Sequence, residues 1–306
     1  MYITRMVDRL ITSRLRTSNR SALILGPRQT GKSTLCRSLK PDVYVDLSDE
    51  AAYLRYAKDP ATLRRVIEGA SRPRLICIDE IQRVPAVLNV VQTLIDRDPH
   101  LRFLLTGSSA RKLRRGHANL LPGRIILEHL DALSVLELGE QFRLERALQV
   151  GMLPGVYLDE REGAEVLATY VQVYLREEVR AEALTRNLGG FARFLDTAAL
   201  TSGEWINYSK LASDTEVPKE TIRRFFGVLE DTLLIYRLPP FRPRLRLSRR
   251  ISQRDRFVFF DVGVRNALLG LHRDPPGPDR IGPAFEQWMI AQIACLNRAL
   301  RKNWLL

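Results

Sequence analysis

Cysteine, histidine and long hydrophobic runs are scarce in this sequence of 306 residues. Its three cysteines, Cys36, Cys77 and Cys295, lie far apart, which argues against a disulfide framework and favours a reducing compartment. The four histidines have no nearby cysteine pair, so the spacing of a zinc site is missing. No apolar run approaches the roughly 18 residues of a membrane span, and the charged amino terminus lacks a secretory core. These absences predict a cytoplasmic protein without a membrane partner.

Lysine is scarce as well, and arginine supplies most of the positive charge. The sequence has 7 lysines and 41 arginines, and its net charge is +13. An arginine bias is also typical of GC-rich genomes, so the total alone does not establish an anionic partner. The distribution is more informative, because residues 242–256 hold seven arginines and one aspartate. This arginine ribbon favours contact with an anionic partner such as nucleic acid.

The first third of the chain alternates short apolar runs with helical patterns, which is typical of an α/β fold. The runs are continuously hydrophobic, as expected of parallel strands covered on both faces. A helical stripe from Val84 to Ile95 separates two of them. The predicted strands are Ser21–Leu25, Val43–Leu47, Leu75–Ile78, Leu101–Thr106 and Arg124–Leu127.

A glycine-rich segment follows the first predicted strand and opens a helix. Residues 26–33 read GPRQTGKS, which fits the phosphate-loop (Walker A) pattern G-x-x-x-x-G-K-[ST]. Gly26 and Gly31 allow the backbone to approach a phosphate chain closely, Lys32 is expected to reach the β- and γ-phosphates, and Ser33 to hold Mg²⁺. The predicted nucleotide-binding residues are Gly26, Pro27, Arg28, Gln29, Thr30, Gly31, Lys32, Ser33 and Thr34.

Two adjacent carboxylates end the strand LICIDE, in the manner of a Walker B segment. Asp79 is predicted to hold the Mg²⁺ ion and Glu80 to orient or deprotonate the attacking water. The pair favours hydrolysis over simple nucleotide binding. Because no Asn-Lys-x-Asp signal for guanine occurs in the sequence, ATP is the predicted nucleotide.

A polar cluster ends the strand before residue 109, and several arginines lie near the predicted site. Thr106 and Ser108 are candidates to bond the γ-phosphate or its water. Arg28, Arg111 and Arg124 are candidates to neutralise charge in the transition state, from the same chain or from a neighbouring subunit.

Several segments together resemble a prokaryotic branch of the AAA+ ATPases. They are GPRQTGKSTL, ICIDEIQRVP, FLLTGSSARKL, LPGRI and DALSVLEL, in that order. The resemblance implies the roles given above for Lys32, Ser33, Asp79, Glu80 and Thr106–Ser108. It also implies a helical segment with a GG-x-P-like motif, here GMLPG at 151–155, then a winged-helix module, then a restriction-endonuclease-like domain. RFVFFDVGVRNALLG at 256–270 and GPAFEQWMIAQI at 282–293 resemble the opening of that last domain.

The sequence departs from this pattern in two places. GMLPG lacks the second of two adjacent glycines, and the sequence ends at Leu306, before the E-V-D-F-like stretch and the carboxylate–x–Lys pair. We therefore expect a truncated last domain that does not cleave DNA, since only Glu286 remains of the acids that a metal-dependent nuclease needs. Asp261 is expected to cap the next helix through the amide of Val264 or Arg265.

Residues 204–238 form the winged-helix candidate. A short helix near Tyr208–Ala212 and a turn near 214–217 precede a longer helix that Pro218 begins. Ile222, Phe225, Phe226, Leu229 and Leu233 are predicted to be buried, whereas Lys219, Arg223 and Arg224 face outward. Two interpretations stay open: a DNA reader assisted by the ribbon, or a packing or protein-binding module with a solvated basic face.

The sequence thus predicts four domains: a parallel-sheet P-loop, AAA+-like α/β domain (1–132), a helical linker or lid (133–188), a winged-helix-like module with the basic ribbon (189–254) and a partial α/β carboxy-terminal domain (255–306).

The predicted function is Mg²⁺-dependent ATP hydrolysis as a conformational switch, acting on duplex DNA through 219–256. The alternative is a nucleotide-sensing DNA-binding regulator with little turnover. Whether the chain forms a homo-oligomer is left open. The predicted catalytic residues are Lys32, Glu80, Thr106, Ser108 and Arg124, and the metal-binding residues are Ser33 and Asp79.

Overall fold

The computed structural model describes residues 3–17, 20–71, 73–108, 123–175, 188–240, 254–302 and 304. The chain divides into two compact units, Thr4–Asp131 and Ala132–Leu306, the latter together with Met1–Ile3. None of the helices in the described ranges combines the length and apolar character that crossing a membrane requires.

The unit Thr4–Asp131 is built on a parallel sheet of five strands. The strands are β1 (Ser21–Leu25), β2 (Val43–Asp46), β3 (Leu75–Asp79), β4 (Arg102–Gly107) and β5 (Ile125–His129). The helices are α1 (Met6–Thr17), α2 (Lys32–Ser38), α3 (Glu50–Lys58), α4 (Thr62–Glu68) and α5 (Val87–Arg97), with a 3-10 turn at Ile81–Arg83. The prediction of a parallel α/β domain is confirmed.

The order of the strands is β2-β3-β4-β1-β5, and every neighbouring pair is parallel. All residues of β1 and β4 are buried, as the continuously apolar runs predicted. One core cluster packs α1 and α2 on the sheet through Ile11, Ile24, Leu35 and Leu104. On α5, Val87, Leu88, Val91 and Leu94 are buried. The sheet edge formed by the carboxyl ends of β1, β4 and β3 is therefore held in place by packing on both faces.

The unit that begins at Ala132 is mostly helical. Its elements are α6 (Val135–Leu138), a 3-10 turn (Gly139–Gln141), α7 (Leu144–Val150), α8 (Pro154–Tyr157), α9 (Gly163–Thr169), a π-helix (Tyr170–Leu175), α10 (Leu188–Leu200), α11 (Tyr208–Thr215), α12 (Lys219–Asp231), β6 (Ile235–Leu238), β7 (Arg256–Phe259), α13 (Val262–Leu268) and α14 (Pro278–Ala299). Phe194, Phe225, Phe226 and Phe257 pack ring to ring in its largest core.

The winged-helix candidate consists of α11, α12 and the sheet β6–β7. Asn207 caps α11 by accepting from the amide of Lys210 at 3.1 Å, and α12 buries Ile222, Phe225, Phe226 and Leu229. Leu233 was predicted to be buried with these residues on the same helix face, but it lies beyond the end of the helix with φ 61° and is half-buried. The prediction for Leu233 was wrong because the helix ends at Asp231, two residues before Leu233.

β6 and β7 pair antiparallel, with Ile235 opposite Phe259 and Leu238 opposite Arg256. The predicted boundary at 254–255 lies between these two strands, and residues 256–270, which resemble the opening of the last predicted domain, begin with the second of them. An apolar run indicates a strand but does not indicate its partner, so the sequence did not predict this pairing. Most of the ribbon, residues 241–253, lies outside the described residues.

Candidate functional site

The glycine-rich loop leaves β1 at its carboxyl end and crosses close to the neighbouring backbone. The amide of Gly26 donates to the carbonyl of Gly107, at the end of β4, over 3.2 Å. A Cβ at position 26 would lie 2.1 Å from the carbonyl oxygen of Leu130, a distance that no side chain tolerates. Glycine is required here because the loop is pressed against the chain that follows β5.

Lys32 begins α2 and turns back into the loop. Its side chain is 5% exposed, and Nζ donates to the carbonyls of Gly26 and Pro27, both at 2.8 Å. The hydroxyl of Thr30 donates to the same Pro27 carbonyl at 2.9 Å. From outside the motif, Arg5 donates to the carbonyl of Thr30 at 2.7 Å and to that of Asp131 at 2.8 Å. The loop is thus preformed, with an ammonium group at its centre.

The rest of the motif surrounds that ammonium group. Pro27 and Thr30 are buried, Arg28, Gly31 and Ser33 are half-buried, and Gln29 and Thr34 are exposed. Gln29 and Gly31 have left-handed backbones, with φ 62° and 96°. All nine predicted nucleotide-binding residues therefore lie in one continuous loop and the first turn of α2.

Asp79 ends β3 and is 1% exposed. One carboxylate oxygen accepts from the hydroxyl of Tyr44 on β2 at 2.7 Å, and the other accepts from the hydroxyl of Thr106 on β4. Burial, followed by the bond to Asp79, raises the pKa of Tyr44 well above its usual value. Tyr44 therefore stays a neutral donor, and Asp79 is fixed from both neighbouring strands.

Glu80 follows in a left-handed conformation, with φ 57° and ψ 45°. Its amide donates to the hydroxyl oxygen of Thr106 at 3.0 Å, and its carboxylate accepts from the side-chain amide of Gln82. The amide of Gln82 also lies 2.9 Å from the hydroxyl of Ser108, which is 3.4 Å from the Glu80 carboxylate. The carboxylate of Glu80 is thus held by two polar side chains at the end of the strand.

A chain of hydrogen bonds joins the loop to the acids. β4 lies between β1 and β3, so Gly107 contacts the loop through Gly26 while Thr106 contacts both Asp79 and Glu80. In parallel α/β sheets, ligands bind at the carboxyl ends of the strands. This edge brings together an ammonium group, two carboxylates and two hydroxyls, the groups that a metal–triphosphate requires. Lys32 and the loop would hold the phosphates, and Ser33 and Asp79 offer the oxygen ligands that Mg²⁺ prefers.

The candidate arginines are not all at this edge. Ser21 pairs with Ile125 and Leu25 with His129, so Arg124 stands at the amino edge of the sheet, about one strand length (roughly 15 Å) from the loop. There it forms a bidentate salt bridge with Asp96, in which two guanidinium nitrogens donate to the two carboxylate oxygens at 2.6 and 3.1 Å. The fold does not bring Arg124 to the site of its own chain, and Arg111 lies outside the described residues. Of the three, only Arg28 lies in the loop.

Three contacting residues were missed from the sequence. Gln82 follows Glu80 by two positions, and this proximity was the one available signal. Tyr44 and Arg5 are distant in sequence from the groups they bond, and only the fold brings them there.

Two further residues singled out in the sequence, Asp261 and Glu286, lie in the unit that begins at Ala132. Asp261 accepts from the amide of Val264 at 3.1 Å, which confirms the predicted helix cap, and also from the amide of Met152 at 2.7 Å. Glu286 on α14 accepts from Arg256 at 2.9 Å. Within the described ranges there is no group of three or more His, Cys, Asp or Glu residues arranged to hold a metal ion.

Two parts of the chain match family models. Residues 18–139 match the model of a family described as AAA domain, and residues 141–274 match that of a domain of unknown function, DUF8612. The fold, the loop and this match together indicate a nucleotide-binding domain of ATPase type.

The relatives are proteins of mycobacteria. The uncharacterized proteins Rv2008c of Mycobacterium tuberculosis and Mb2031c of Mycobacterium bovis are each 27% identical over 285 residues, covering 90% of this chain and 62% of the relative. The chain therefore spans about three fifths of the length of these relatives.

Solved structures are similar to it at low identity. The replication initiator DnaA, bound to AMPPCP and single-stranded DNA, has a TM-score of 0.37 and 15% identity, covering 75% of this chain and 90% of that one. A DNA polymerase III gamma subunit-related protein of Thermotoga maritima has a TM-score of 0.33 and 14% identity, covering 74% and 98%.

Proposed function

We propose that this chain binds ATP with Mg²⁺ and hydrolyses the γ-phosphate, and that it uses the cycle as a conformational switch. The observation that carries the proposal is the bonded edge of the sheet, where the loop, Thr106 and the acid pair meet. Catalysis of phosphoryl transfer needs mainly positioning and charge stabilisation, and these groups provide both.

Each residue has a distinct part in this proposal. Lys32 would exchange its bonds to the loop carbonyls for bonds to the β- and γ-phosphates. Ser33 and Asp79 would hold the Mg²⁺ ion, which supplies the charge that stabilises the transferring phosphoryl group. Glu80 would orient the attacking water and accept its proton, with Gln82 and Ser108 fixing the carboxylate. Thr106 would act on the reaction by holding Asp79 and the backbone of Glu80.

Two substitutions separate binding from turnover. We expect Lys32→Ala to lose nucleotide binding, because the lysine meets the ground-state phosphates, and Glu80→Gln to keep binding while losing turnover. The measurements are nucleotide affinity by calorimetry and steady-state phosphate release with and without Mg²⁺. Lys58→Ala, an exposed lysine on α3, is the matched control.

The outcomes are distinguishable. Equal affinity in wild type and Lys32→Ala would remove the site assignment. Normal turnover in Glu80→Gln would remove only the role of the base. Tight binding without Mg²⁺-dependent phosphate release in the wild type would favour the nucleotide-sensing regulator instead.

A second proposed activity is binding of duplex DNA by the unit that begins at Ala132. It is favoured by the succession α11, α12, β6, β7, two helices followed by a two-stranded sheet, with Lys219 and Arg224 exposed on α12. A helix with an exposed basic face suits a DNA groove. DNA affinity that weakens as salt rises, together with a change in phosphate release when duplex DNA is added, tests this activity.

A further inference from the structure

A cavity lies at the amino edge of the sheet, opposite to the loop and the acid pair. Its volume is about 1030 Å³, and residues at the starts of β3 and β4, such as Leu75 and Arg102, line it together with the ends of α2, α4 and α5. This volume is at the upper end of the range for small-molecule sites. All lining residues belong to the unit Thr4–Asp131.

Part of the wall of the cavity is apolar. Leu15, Leu39, Ile67, Leu94 and Leu101 contribute to it, and the last three are buried. A ligand that fills this space would remove apolar surface from water, at a gain of about 25 cal/mol per Å².

The charged groups of the cavity are mainly cations. Lys40, Arg74 and Arg97 line it, are exposed, and form no salt bridge among the described residues. Of the two acids, Glu68 is paired with Arg64 at 2.6 Å, and Asp98 accepts from the amide of His100 at 2.8 Å. The charge of the cavity is therefore complementary to an anion.

Arg102 is the residue that points most directly to a ligand. Its side chain is 7% exposed, and one guanidinium nitrogen donates to the carbonyls of Pro99 and Leu101, at 2.6 and 2.7 Å. Its Nε is buried and has no hydrogen-bond partner within the described part of the chain. Burying a cation is costly, and burial lowers the pKa of Arg102 even though the charge of nearby Asp98 acts in the opposite direction. An anionic group in the cavity could accept from the unpaired Nε and would offset more of this cost than Asp98 does.

We propose that this cavity is a binding site for a small amphiphilic anion, an apolar body that carries one carboxylate, sulfonate or phosphate group. The apolar wall would receive the body, and Arg102, with Arg74 and Arg97, would receive the anionic group. The site is separate from the nucleotide site and does not depend on ATP hydrolysis.

Binding of two matched dyes to the full chain tests the proposal. Anilinonaphthalene sulfonate carries an aromatic body and an anionic group, and N-phenylnaphthylamine has a similar body without the charge. Fluorescence titration in the presence of saturating Mg-ATP is expected to show one class of site that binds the sulfonate at least tenfold more tightly. Arg102→Met is expected to abolish this difference, whereas Arg65→Met, on the same α4 as Arg64 but outside the cavity, leaves it unchanged.

Further variants keep the test decisive if Arg102→Met fails to fold. Arg97→Met removes an exposed lining cation and is expected to weaken sulfonate binding alone, and Ala70→Trp is expected to weaken both dyes by filling the space. Equal affinity for the two dyes in the wild type, or sulfonate binding that survives Ala70→Trp, would overturn the proposal. Phosphate-release rates, measured separately, show whether the nucleotide site is intact.

Discussion

Glu80 adopts a left-handed backbone, a conformation that a residue with a side chain seldom takes. The cost is about 1–2 kcal/mol, and such strain persists where the surroundings hold it. Here the hydroxyl of Thr106 accepts from the backbone amide of Glu80 and donates to the carboxylate of Asp79, so one buried side chain holds the backbone of one acid and the side chain of the other. Thr106 is a candidate to bond the γ-phosphate or its water, and in the structure it is fully buried and its hydroxyl bonds Asp79 and the amide of Glu80.

At the scale of this residue we predict that Thr106→Val lowers kcat roughly tenfold while nucleotide affinity changes little. The substitution conserves volume but removes the hydroxyl, leaving a buried carboxylate oxygen and an amide without this partner, at about 1–3 kcal/mol. Steady-state phosphate release and calorimetric binding measure the two effects. Thr106→Ser keeps the hydroxyl and is the control; if it loses as much activity as Thr106→Val, packing and not the hydrogen bonds is responsible.

At the scale of elements, the GMLPG segment is joined to the start of α13. Gly151 has φ 77°, and a Cβ there would lie 1.9 Å from a carboxylate oxygen of Asp261. Because Gly151 has no side chain, the carboxylate of Asp261 fits beside it and accepts from the amides of Met152 and Val264. These bonds join the GMLPG segment to the start of α13. Burial raises the pKa of Asp261 to about 6, against the lowering effect of these amides.

This raised pKa predicts a pH dependence of stability. Between pH 3.8, the ordinary value, and about 6, the folded chain holds the proton of Asp261 and the unfolded chain has released it. The free energy of unfolding therefore falls as pH rises through this window, by about 3 kcal/mol from this group at about 1.4 kcal/mol per pKa unit. Below the window the contribution is fully present, and above it the contribution is lost.

Urea unfolding followed by tryptophan fluorescence between pH 4 and 7 measures this effect, because all three tryptophans, Trp205, Trp288 and Trp304, lie in the same unit as Asp261. Asp261→Asn, which cannot ionise, is expected to flatten this part of the profile even though it lowers stability overall. Asp274→Asn, an exposed acid nearby, is the control. Unchanged pH dependence in Asp261→Asn would contradict the burial argument.

At the scale of the whole molecule, the net charge is +13, and several arginines in the described residues are paired with acids. Arg223 bonds Glu220, Arg237 lies between Glu230 and Asp255, and Arg256 bonds Glu286. An arginine that is paired with a carboxylate must give up that salt bridge before it can bind a DNA phosphate, so it contributes little to DNA affinity. These pairs leave the net charge unchanged, because the acids are already subtracted in it, but they occupy arginines in the winged-helix candidate. The rest of the ribbon within 242–256 is therefore the main candidate for contact with a polyanion.

We predict that log affinity for duplex DNA falls with log salt at a slope of about −5, if about six arginines each neutralise a phosphate. Replacing Arg244, Arg246, Arg249 and Arg250 by alanine is expected to flatten this slope, measured by fluorescence anisotropy. Replacing the exposed arginines Arg9, Arg20, Arg55 and Arg161, which lie outside the ribbon and the proposed cavity, removes the same charge elsewhere and is the control. Binding that does not depend on salt, or absent binding at low salt, would leave the ribbon without this role.

The sequence by itself determined the features that depend on neighbours in the chain. The five strands, the stripe of α5, the loop at 26–33 and the cap at Asp261 were predictable because burial period, turn chemistry and capping are local properties. The tertiary structure alone decided which strands are neighbours. It placed β4 between β1 and β3, so that Thr106 holds the acids, and it paired β6 with β7.

The same distinction explains the missed residues. Tyr44 and Asp79 are 35 positions apart, and Gly151 and Asp261 are further apart still, yet each pair is in contact. Strand pairing and side-chain packing join residues that are far apart in the chain. The hydrophobic pattern therefore indicates that a residue is buried but does not indicate which residue it packs against. Arg124 illustrates the converse: its place before a strand was evident from the sequence, but only the direction of that strand showed that it lies at the edge away from the loop.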